Sequence, residues 1–286
     1  MTKSLKIRKK PVEMTVYLIV FFMFCVFAFS YIYMLLWCFY SGTRSADQVA
    51  VNPFGFSEIH LKNYIDVFTE MNANGANFVM LLTNSLYFSL FGAGLNILFT
   101  SMFAYVVSKY RFLGSKLIYM LVIVVITLPI FGTGSAMYRL LYRLGFLNSG
   151  LMLLTSLGGF SMNFLYMHAF FSSMSWSYAE AAEIDGANDW QIYFRIMFPQ
   201  SITMVGSLFI LMWITEWNSY GSALIYLPKM PTLAVGIYQF RTQMMYESKM
   251  NILYAACAIS VIPPLALFIC CNNSLMSNVS LGGIKE

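Results

Sequence analysis

Between two long apolar segments the chain reads SYAEAAEIDGANDWQIYFRIMFP over residues 177–199. Ser177 is followed three residues later by Glu180, a spacing that predicts a capping box at the start of a first short helix. Gly186 can adopt the left-handed backbone conformation that closes such a helix. The local chemistry of this stretch, called loop 177–199 below, therefore predicts a short helix followed by a sharp turn.

A second short helix is predicted after the turn. Asn188 with Gln191 opens it, and Pro199 ends or bends it where the next apolar segment begins. Apolar side chains recur on this helix at i, i+3, i+4 and i+7, and they are Trp190, Tyr193, Phe194 and Met197. The stripe predicts an apolar face on the second helix. An amphipathic elbow that rests on the inner leaflet of a membrane would also explain it.

The whole chain is strongly apolar. Of its 286 residues 59% are hydrophobic and only 10% are charged, whereas a soluble domain carries roughly 25% charged residues. The mean hydropathy is +0.68, so we predict a membrane protein in contact with lipid. The formal net charge is +5, but the basic residues flank apolar segments and form no patch beside aromatic side chains. We therefore expect no nucleic-acid partner.

Charges mark the ends of the membrane spans, because a charge at the bilayer centre costs about 2.5–3.5 kcal/mol. Six charge-poor segments have the roughly 20 residues that a membrane-spanning helix needs. They cover residues 16–39, 78–108, 117–138, 150–171, 199–227 and 252–271. The sequence thus predicts an all-α integral membrane protein with six transmembrane helices.

Basic residues in short flanking segments predict the orientation, since such residues favour the cytoplasmic side. One group precedes the first span and another joins the second span to the third. These groups are Lys3, Lys6, Arg8, Lys9 and Lys10, and Lys109, Arg111 and Lys116. An even number of spans then predicts that the N-terminus and the C-terminus are both cytoplasmic.

Six positions of loop 177–199 resemble a known signature, the cytoplasmic EAA motif of binding-protein-dependent ABC importer permeases. The matching residues are Glu180, Ala181, Ala182, Gly186, Ile196 and Pro199. Asp185 and Ala187 also match the form EAAxxDGA that is usual in carbohydrate permeases. Phe198 stands where the family usually has Leu, which is an exchange of one apolar residue for another.

Other stretches are similar to the same family, and the resemblance covers about residues 78–286. Asn84-Ser85-Leu86 resembles the start of a permease span, and Trp217-Asn218 fits in the fifth span. Two positions depart from the pattern, because Asn278 and Glu286 stand where Gly is common. Residues 14–40 resemble the extra N-terminal helix of maltose-permease-like, six-span "G-type" subunits.

The resemblance implies a type I ABC importer permease fold in a bacterial cytoplasmic membrane. It divides the chain into a basic cytoplasmic N-terminus, an extra transmembrane helix, an extracytoplasmic loop, a permease core with five transmembrane helices and a cytoplasmic tail. These parts are residues 1–13, 14–40, 41–77, 78–275 and 276–286. The core contains loop 177–199.

Loop 177–199 would be the coupling helix that sits in a groove on an ATPase subunit. Glu180 would meet a basic partner, Ala181 and Ala182 would allow close approach, and Gly186 would supply the turn. The full set of expected contact residues is Glu180, Ala181, Ala182, Asp185, Gly186, Ala187, Trp190, Ile196 and Pro199.

The resemblance also implies partners. They are a second homologous permease subunit, which makes a heterodimer, two ATP-binding subunits that use ATP and Mg²⁺, and an extracytoplasmic substrate-binding protein. Neither Gly132-Thr-Gly134-Ser nor Gly158-Gly159 continues to the Gly-Lys-Ser/Thr of a phosphate-binding loop. We therefore expect a non-catalytic chain that binds no cofactor itself.

Glu216 is the only Asp, Glu, Lys or Arg inside a predicted span, and such a residue is a candidate functional site. Trp213, Trp217 and Tyr220 follow the helical spacing i, i+4 and i+7 near it. Aromatic faces stack on sugar rings, while amide and carboxylate groups bind hydroxyls, so a substrate path is chemically sensible. Its expected residues are Asn84, Trp213, Glu216, Trp217, Asn218 and Tyr220. An interhelical hydrogen bond, an interfacial carboxylate or an interfacial aromatic belt would equally explain these positions.

Two other classes of protein compete with a permease subunit. An ion-coupled secondary transporter that uses Glu216 as a proton site is the stronger alternative, although it leaves loop 177–199 unexplained. A membrane-embedded enzyme is weaker, because no nucleophile with a base and no metal-ligand cluster recurs in the spans. His60 and His168 are isolated, and the five cysteines lie in or beside apolar runs, which predicts no metal site and no disulfide.

Overall fold

A computed structural model describes residues 11–56, 58–110, 112–128, 132–247 and 249–279. The predicted basic N-terminal cluster at residues 3–10, Arg111 and Glu286 lie outside the described residues. The secondary structure is mostly helical, as the composition predicts.

The α-helices of the described residues range in length from 3 to 32 residues. In chain order they are α1 (Pro11–Gly42), α2 (Ala46–Val51), α3 (Lys62–Glu70), α4 (Phe78–Lys109), α5 (Ser115–Thr127), α6 (Gly134–Arg143), α7 (Met162–Ser173), α8 (Ser177–Ile184), α9 (Asp189–Ile192), α10 (Phe198–Gln200), α11 (Ile202–Asn218), α12 (Gly221–Tyr226), α13 (Leu233–Glu247) and α14 (Met250–Val279). A 3-10 helix covers Gly150–Ser156 and a π-helix covers Tyr193–Met197.

A small hairpin interrupts the helical pattern, so the expectation of an all-α chain is correct only in outline. Strands β1 (Asn72–Ala73) and β2 (Ala76–Asn77) pair antiparallel. Asn74 and Gly75 between them have φ of 52° and 83°, the left-handed backbone that a two-residue hairpin turn requires.

Three helices are long and apolar enough to cross a membrane. Their spanning parts are Met14–Gly42, Phe78–Lys109 and Met250–Cys271. Residues Asp189–Gln200 and Ile202–Asn218 pass the same test only as a pair, which is bent by 76°. The described residues thus give three spans, or four when the bent pair counts as one.

Three of the predicted spans are not continuous helices. The third, residues 117–138, divides into α5 and α6, and α5 has only 13 residues. At 1.5 Å per residue it is about 20 Å long, which is shorter than a hydrocarbon core of about 30 Å. The fourth, residues 150–171, divides into the 3-10 helix and α7, and the fifth, residues 199–227, divides into α10, α11 and α12.

The described residues form two compact units. The first comprises those of Met1–Val67 and Gln243–Ile259. Within it Arg44 is 1% exposed, and its guanidinium donates hydrogen bonds to the carbonyl oxygens of Gln48, Asn52 and Pro53. These bonds hold the end of α2 close to the end of α1.

The second unit comprises the described residues of Phe68–Thr242 and Ser260–Glu286, and α4 lies at its centre. Helix α4 packs against α7 and α11. Small side chains recur on its buried face, and they are Ser85, Ser89, Gly92, Ala93, Thr100, Ser101 and Ala104. Such side chains let helix backbones approach closely in a membrane. Loop 177–199 packs on the same core through Ala179, Ala182, Ile192, Tyr193 and Met197.

Candidate functional site

Loop 177–199 begins with helix α8, but its start differs from the sequence prediction. The N-cap residue is Trp176, so Ser177 is already inside the helix and makes no capping box with Glu180. The Ser177 amide donates instead to the Ser175 hydroxyl oxygen, 3.3 Å away. The predicted capping box is therefore wrong, because the helix begins one residue earlier than the pattern suggests.

The turn after α8 confirms the role predicted for Gly186. Its φ is +82°. The Gly186 amide donates to the carbonyl of Glu183 at 3.0 Å, and the Ala187 amide donates to that of Ala182 at 2.9 Å. This pair of bonds is the Schellman arrangement, which requires a left-handed residue. An added Cβ at Gly186 would have no heavy atom within 4 Å, so backbone conformation and not crowding within the chain demands glycine.

The second helix opens at Asn188, as predicted. The Gln191 amide donates to Asn188 Oδ1, and the Asn188 amide donates to Gln191 Oε1, both over 2.9 Å. The prediction of one apolar stripe is only half correct. Tyr193 and Met197 are buried, whereas Trp190 is 60% and Phe194 44% exposed.

The stripe divides into two pairs at the spacing i, i+4, of which Trp190 and Phe194 are exposed and Tyr193 and Met197 are buried. Residues Tyr193–Met197 follow a π-helix. Trp190 and Phe194 stack on each other with ring centroids 6.0 Å apart. The Tyr193 hydroxyl instead lies 2.6 Å from the Ser101 hydroxyl of α4.

The outer face of loop 177–199 is acidic. Glu180, Glu183 and Asp185 are exposed and have no hydrogen bond or ion pair with another side chain among the described residues. Ile184 lies among them and is 87% exposed. Sequence reasoning missed Ile184, although an apolar residue between acidic neighbours is the signal that could have found it.

The residues expected to contact an ATPase subunit separate into two groups. Six are exposed, namely Glu180, Ala181, Asp185, Gly186, Trp190 and Pro199. Ala182 is buried, and Ala187 and Ile196 are half-buried and pack against the core. The small side chains at 179 and 182 therefore bring α8 close to its own core, while Ala181 faces outward.

Tyr110, just after α4, reaches the second helix of the loop. Its hydroxyl donates to Asp189 Oδ1 over 2.7 Å. Burial raises the pKa of Tyr110, and the hydrogen bond to Asp189 raises that pKa further. The phenol thus stays protonated and keeps its donor through the physiological pH range.

A polar cavity lies beside Glu216, and it is called the Glu216 cavity below. Its volume is about 310 Å³. Its polar and charged lining residues come from α4, from the 3-10 helix, from α11 and its C-cap, from α12 and from the segment before α13. They are Asn96, Thr155, Ser156, Glu216, Ser219, Ser222 and Thr232. Glu216 is the only charged one.

The Glu216 cavity differs from the predicted substrate path. Trp213 and Trp217 are 2% and 5% exposed and stack on each other at 5.2 Å, and neither lines the cavity. The two tryptophans therefore pack in the core and are not part of the cavity that Glu216 lines.

The other predicted path residues also lie elsewhere. The Asn84 amide donates to the carbonyl oxygen of Pro231 at 3.0 Å, which is a structural bond. The Asn218 amide donates to the carbonyl oxygen of Ile214 in its own helix. Tyr220 stacks on Tyr238 with centroids 5.0 Å apart. Glu216 alone of the six expected residues lines the cavity.

A second cavity of about 640 Å³ shares Asn96, Thr155 and Ser156 with the first. Its wall includes the break between the 3-10 helix and α7, where Asn96 Nδ2 donates to the Ser156 carbonyl oxygen at 2.9 Å. An added Cβ at Gly158 would lie only 2.6 Å from Asn96 Nδ2 and from Thr100 Oγ1. The glycine therefore permits this close approach of the broken segment to α4.

The sequence of residues 96–275 matches the family described as "Binding-protein-dependent transport system inner membrane component". This chain belongs to that family. The permease is thus a subunit of an ABC importer and a multi-pass protein of the cytoplasmic membrane.

Curated relatives of this permease match most of its length. It is 26% identical to the diacetylchitobiose uptake system permease protein NgcG of Streptomyces coelicolor, over 88% of this chain and 83% of the relative. It is also 26% identical to the arabinooligosaccharides transport system permease protein AraQ of Halalkalibacterium halodurans, over 92% and 94%. The galactooligosaccharides transport system permease protein GanQ of Bacillus subtilis is 26% identical over 100% of both chains.

A solved structure supports the fold of this permease. A chain from a crystal structure of a bacterial ABC transporter involved in the import of the acidic polysaccharide alginate superposes with a TM-score of 0.75. The two chains are 20% identical, and the match covers 93% of this permease and 98% of the other chain.

Among the described residues of this permease, no group of three or more His, Cys, Asp or Glu side chains is placed to hold a metal ion. The five cysteines are free thiols. His168 packs against the rings of Tyr119 and Phe164, with centroids 4.6 Å and 5.6 Å away.

Proposed function

We propose that this permease forms half of the translocation path of an ATP-driven importer for a sugar or an oligosaccharide. The observation that carries the proposal is the geometry of loop 177–199. Its inner face packs on the core around α4, while its outer face presents acidic side chains and Ile184. Such a face suits an ATPase subunit that offers basic residues and a small apolar pocket.

The proposed assembly contains a second, homologous permease subunit, two ATP-binding subunits that use ATP and Mg²⁺, and an extracytoplasmic binding protein. This chain contributes no catalytic residue and binds no cofactor. Six membrane crossings with both termini in the cytoplasm would place loop 177–199 on the side where ATP is available. The broken third, fourth and fifth segments then cross as interrupted helices, which a membrane protein tolerates where protein or a cavity surrounds the break.

Sugar as the substrate is supported by two findings. The relatives named above are permeases for diacetylchitobiose, arabinooligosaccharides and galactooligosaccharides. The Glu216 cavity offers a carboxylate, an amide and several hydroxyls beside apolar side chains such as Phe88 and Tyr226, which is a lining suited to sugar hydroxyls and ring faces. Transport would proceed by alternating access as the ATPase subunits close and open.

Replacement of Gly186 tests the coupling role. Tryptophan there is bulky, points into open space on the outer face and disfavours a φ of +82°. We expect Gly186→Trp to insert normally but to lose ATP-driven sugar uptake in proteoliposomes. Gly186→Asn is the matched control, because Asn tolerates the left-handed conformation and is much smaller. Normal uptake by the Gly186→Trp complex would refute the assignment.

An ion-coupled secondary transporter is the second candidate function. The half-buried Glu216 carboxylate has no hydrogen-bond or ion-pair partner within the described part of the chain, and such a group in a membrane span can carry a proton. This alternative predicts uptake driven by ΔpH in liposomes that contain the chain alone. Uptake that requires ATP and the partner subunits excludes it.

A further inference from the structure

The end of α4 contacts the chain at two places around loop 177–199. One is the segment just before α8, and the other is the start of α9. Lys109, the last residue of α4, donates from Nζ to the carbonyl oxygen of Met174 over 2.6 Å. Met174 is the C-cap residue of α7, three residues before α8 begins. The bond therefore fixes the start of the loop to the end of α4.

The next residue, Tyr110, contacts the start of each short helix. Its ring meets the ring of Trp176, the N-cap residue of α8, edge to face at 5.8 Å. Its hydroxyl donates to Asp189 Oδ1, on the first residue of α9. A third contact is the edge-to-face packing on Tyr105 of α4 at 5.7 Å. One side chain thus joins α4, α8 and α9.

The hydrogen bond is the directional part of this junction. On the inner face of α8 the buried side chains are Ala179 and Ala182, and alanines pack closely without interlocking. The aromatic contacts of Tyr110 set the distance of the short helices from α4 but only weakly set their orientation on it. A 2.7 Å bond to a carboxylate fixes both.

We propose that Tyr110 is a positioning residue for energy coupling, which holds α8 and α9 in a fixed orientation on the end of α4. The role rests on the proposed function of loop 177–199 as the ATPase contact. Through this junction a displacement of the loop is passed to α4. The same helix carries Asn96 into the Glu216 cavity, 14 positions or about 21 Å away along its axis.

The raised pKa of Tyr110 agrees with this role. Because burial and hydrogen bonding favour the neutral phenol, the donor is present at every pH at which transport is measured.

The test uses the complete complex in proteoliposomes and the conservative variant Tyr110→Phe. Phenylalanine retains the ring contacts with Trp176 and Tyr105 and removes only the bond to Asp189. We expect sugar molecules taken up per ATP hydrolysed to fall about three- to tenfold, the effect of losing one partly exposed hydrogen bond. The maximal ATPase rate should stay within about twofold. Tyr142→Phe is the matched control, because Tyr142 lies on α6 and is 70% exposed.

A second measurement does not depend on the identity of the sugar. Hydrogen exchange of the backbone amides of residues 177–192 should be about three- to tenfold faster in Tyr110→Phe than in the unaltered chain, and unchanged in Tyr142→Phe. A double-mutant cycle assigns the effect to the pair, since Tyr110→Phe combined with Asp189→Ala should be no worse than the more severe single variant. Asp189→Asn keeps an acceptor oxygen for the Tyr110 hydroxyl. Its loss of coupling should therefore be smaller than that of Asp189→Ala.

The outcomes separate the positioning role from the proposed function. Diacetylchitobiose, arabinooligosaccharide and galactooligosaccharide serve as probes, and the one that the unaltered complex takes up is used for the variants. If Gly186→Trp uncouples transport while Tyr110→Phe behaves as Tyr142→Phe does in both assays, only the positioning role is refuted. If none of the three sugars is taken up with ATP, the sugar proposal fails, and hydrogen exchange still decides whether Tyr110 holds the loop.

Discussion

Loop 177–199 and the Glu216 cavity use their polar groups in opposite ways. In the loop Asn188 and Gln191 cap each other, and Tyr110 and Ser101 of the neighbouring core bind Asp189 and Tyr193. At the cavity several polar groups have no hydrogen-bond partner among the residues that the structure describes. Among them are the Glu216 carboxylate, Asn96 Oδ1 and Thr232 Oγ1.

This difference indicates a separate role for each region. A loop whose core contacts and second helix start are held by hydrogen bonds within the chain keeps one shape and can pass on a displacement, while its acidic side chains Glu180, Glu183 and Asp185 stay exposed. A buried polar group without a partner costs about 1–3 kcal/mol, so its retention needs an explanation in function. The cavity is therefore the region where a ligand with hydroxyls would gain most.

The largest expected effect comes from filling the wall of the second cavity, next to the Asn96 that it shares with the Glu216 cavity. Gly158→Ala would place Cβ 2.6 Å from Asn96 Nδ2, which is held by its bond to Ser156. Overpacking of this kind costs about 1–3 kcal/mol, and the displaced Asn96 should reduce sugar uptake while loop 177–199 and the ATPase rate stay intact.

Gly206→Ala is the control for Gly158→Ala. Gly206 lies in α11, and an added Cβ there meets no heavy atom within 4 Å. Thermal unfolding of the purified permease in detergent should show a loss for Gly158→Ala and none for Gly206→Ala. Equal stability and equal uptake for both variants would show that the cavity wall tolerates change as freely as a helix surface.

An intermediate effect is expected from removal of the cap in the loop. Asn188→Ala loses the bond that the Gln191 amide donates to Asn188 Oδ1 and keeps only the backbone amide of residue 188 for Gln191 Oε1, and loss of an N-cap typically costs about 1 kcal/mol. Hydrogen exchange should accelerate in α9 and not at the cavity. Asn188→Asp keeps an acceptor and should behave almost as the unaltered chain; if it is as weak as Asn188→Ala, the side-chain cap is not what orders α9.

The smallest effect on uptake and stability is expected at Glu216, because its replacement breaks no hydrogen bond or ion pair of the carboxylate with the residues that the structure describes. Glu216→Gln keeps an oxygen that binds a sugar hydroxyl, so ATP-driven uptake should stay within about threefold of normal. Thermal stability should be unchanged or slightly higher, since a half-buried charge is removed. A complete loss of transport in Glu216→Gln, with normal amounts of protein in the membrane, would favour a proton site and contradict the contrast with the loop.

Local chemistry explains which parts of the loop were predictable. The left-handed turn at Gly186 and the helix start at Asn188 depend on residues within five positions of each other, and both predictions are confirmed. The capping box at Ser177 is wrong because Trp176 and Ser175 take over the start of α8. Several residues near this start can cap it, and spacing alone does not choose among them.

Long-range contacts explain the rest. Tyr193 of the π-helix contacts Ser101, 92 positions earlier in the chain, and Tyr110 meets Asp189 across 79 positions. The lining of the Glu216 cavity comes from six elements, which are α4, α6, the 3-10 helix, α11, α12 and the segment before α13, so the sequence pattern on α11 identified Glu216 but not the residues that surround it. Hydropathy does not detect that the third, fourth and fifth spans consist of separate helices.

The bend of 76° at Ser201, between α10 and α11, has a mechanical consequence. The shorter of the two bent segments is Asp189–Gln200, and the longer is α11. At this angle a shift along the axis of the shorter segment is directed mostly across the axis of α11 and only slightly along it. A displacement of Asp189–Gln200 along its axis therefore tilts α11 more than it translates α11. The tilt moves the end of α11 farthest from the bend most, and Glu216 lies near that end.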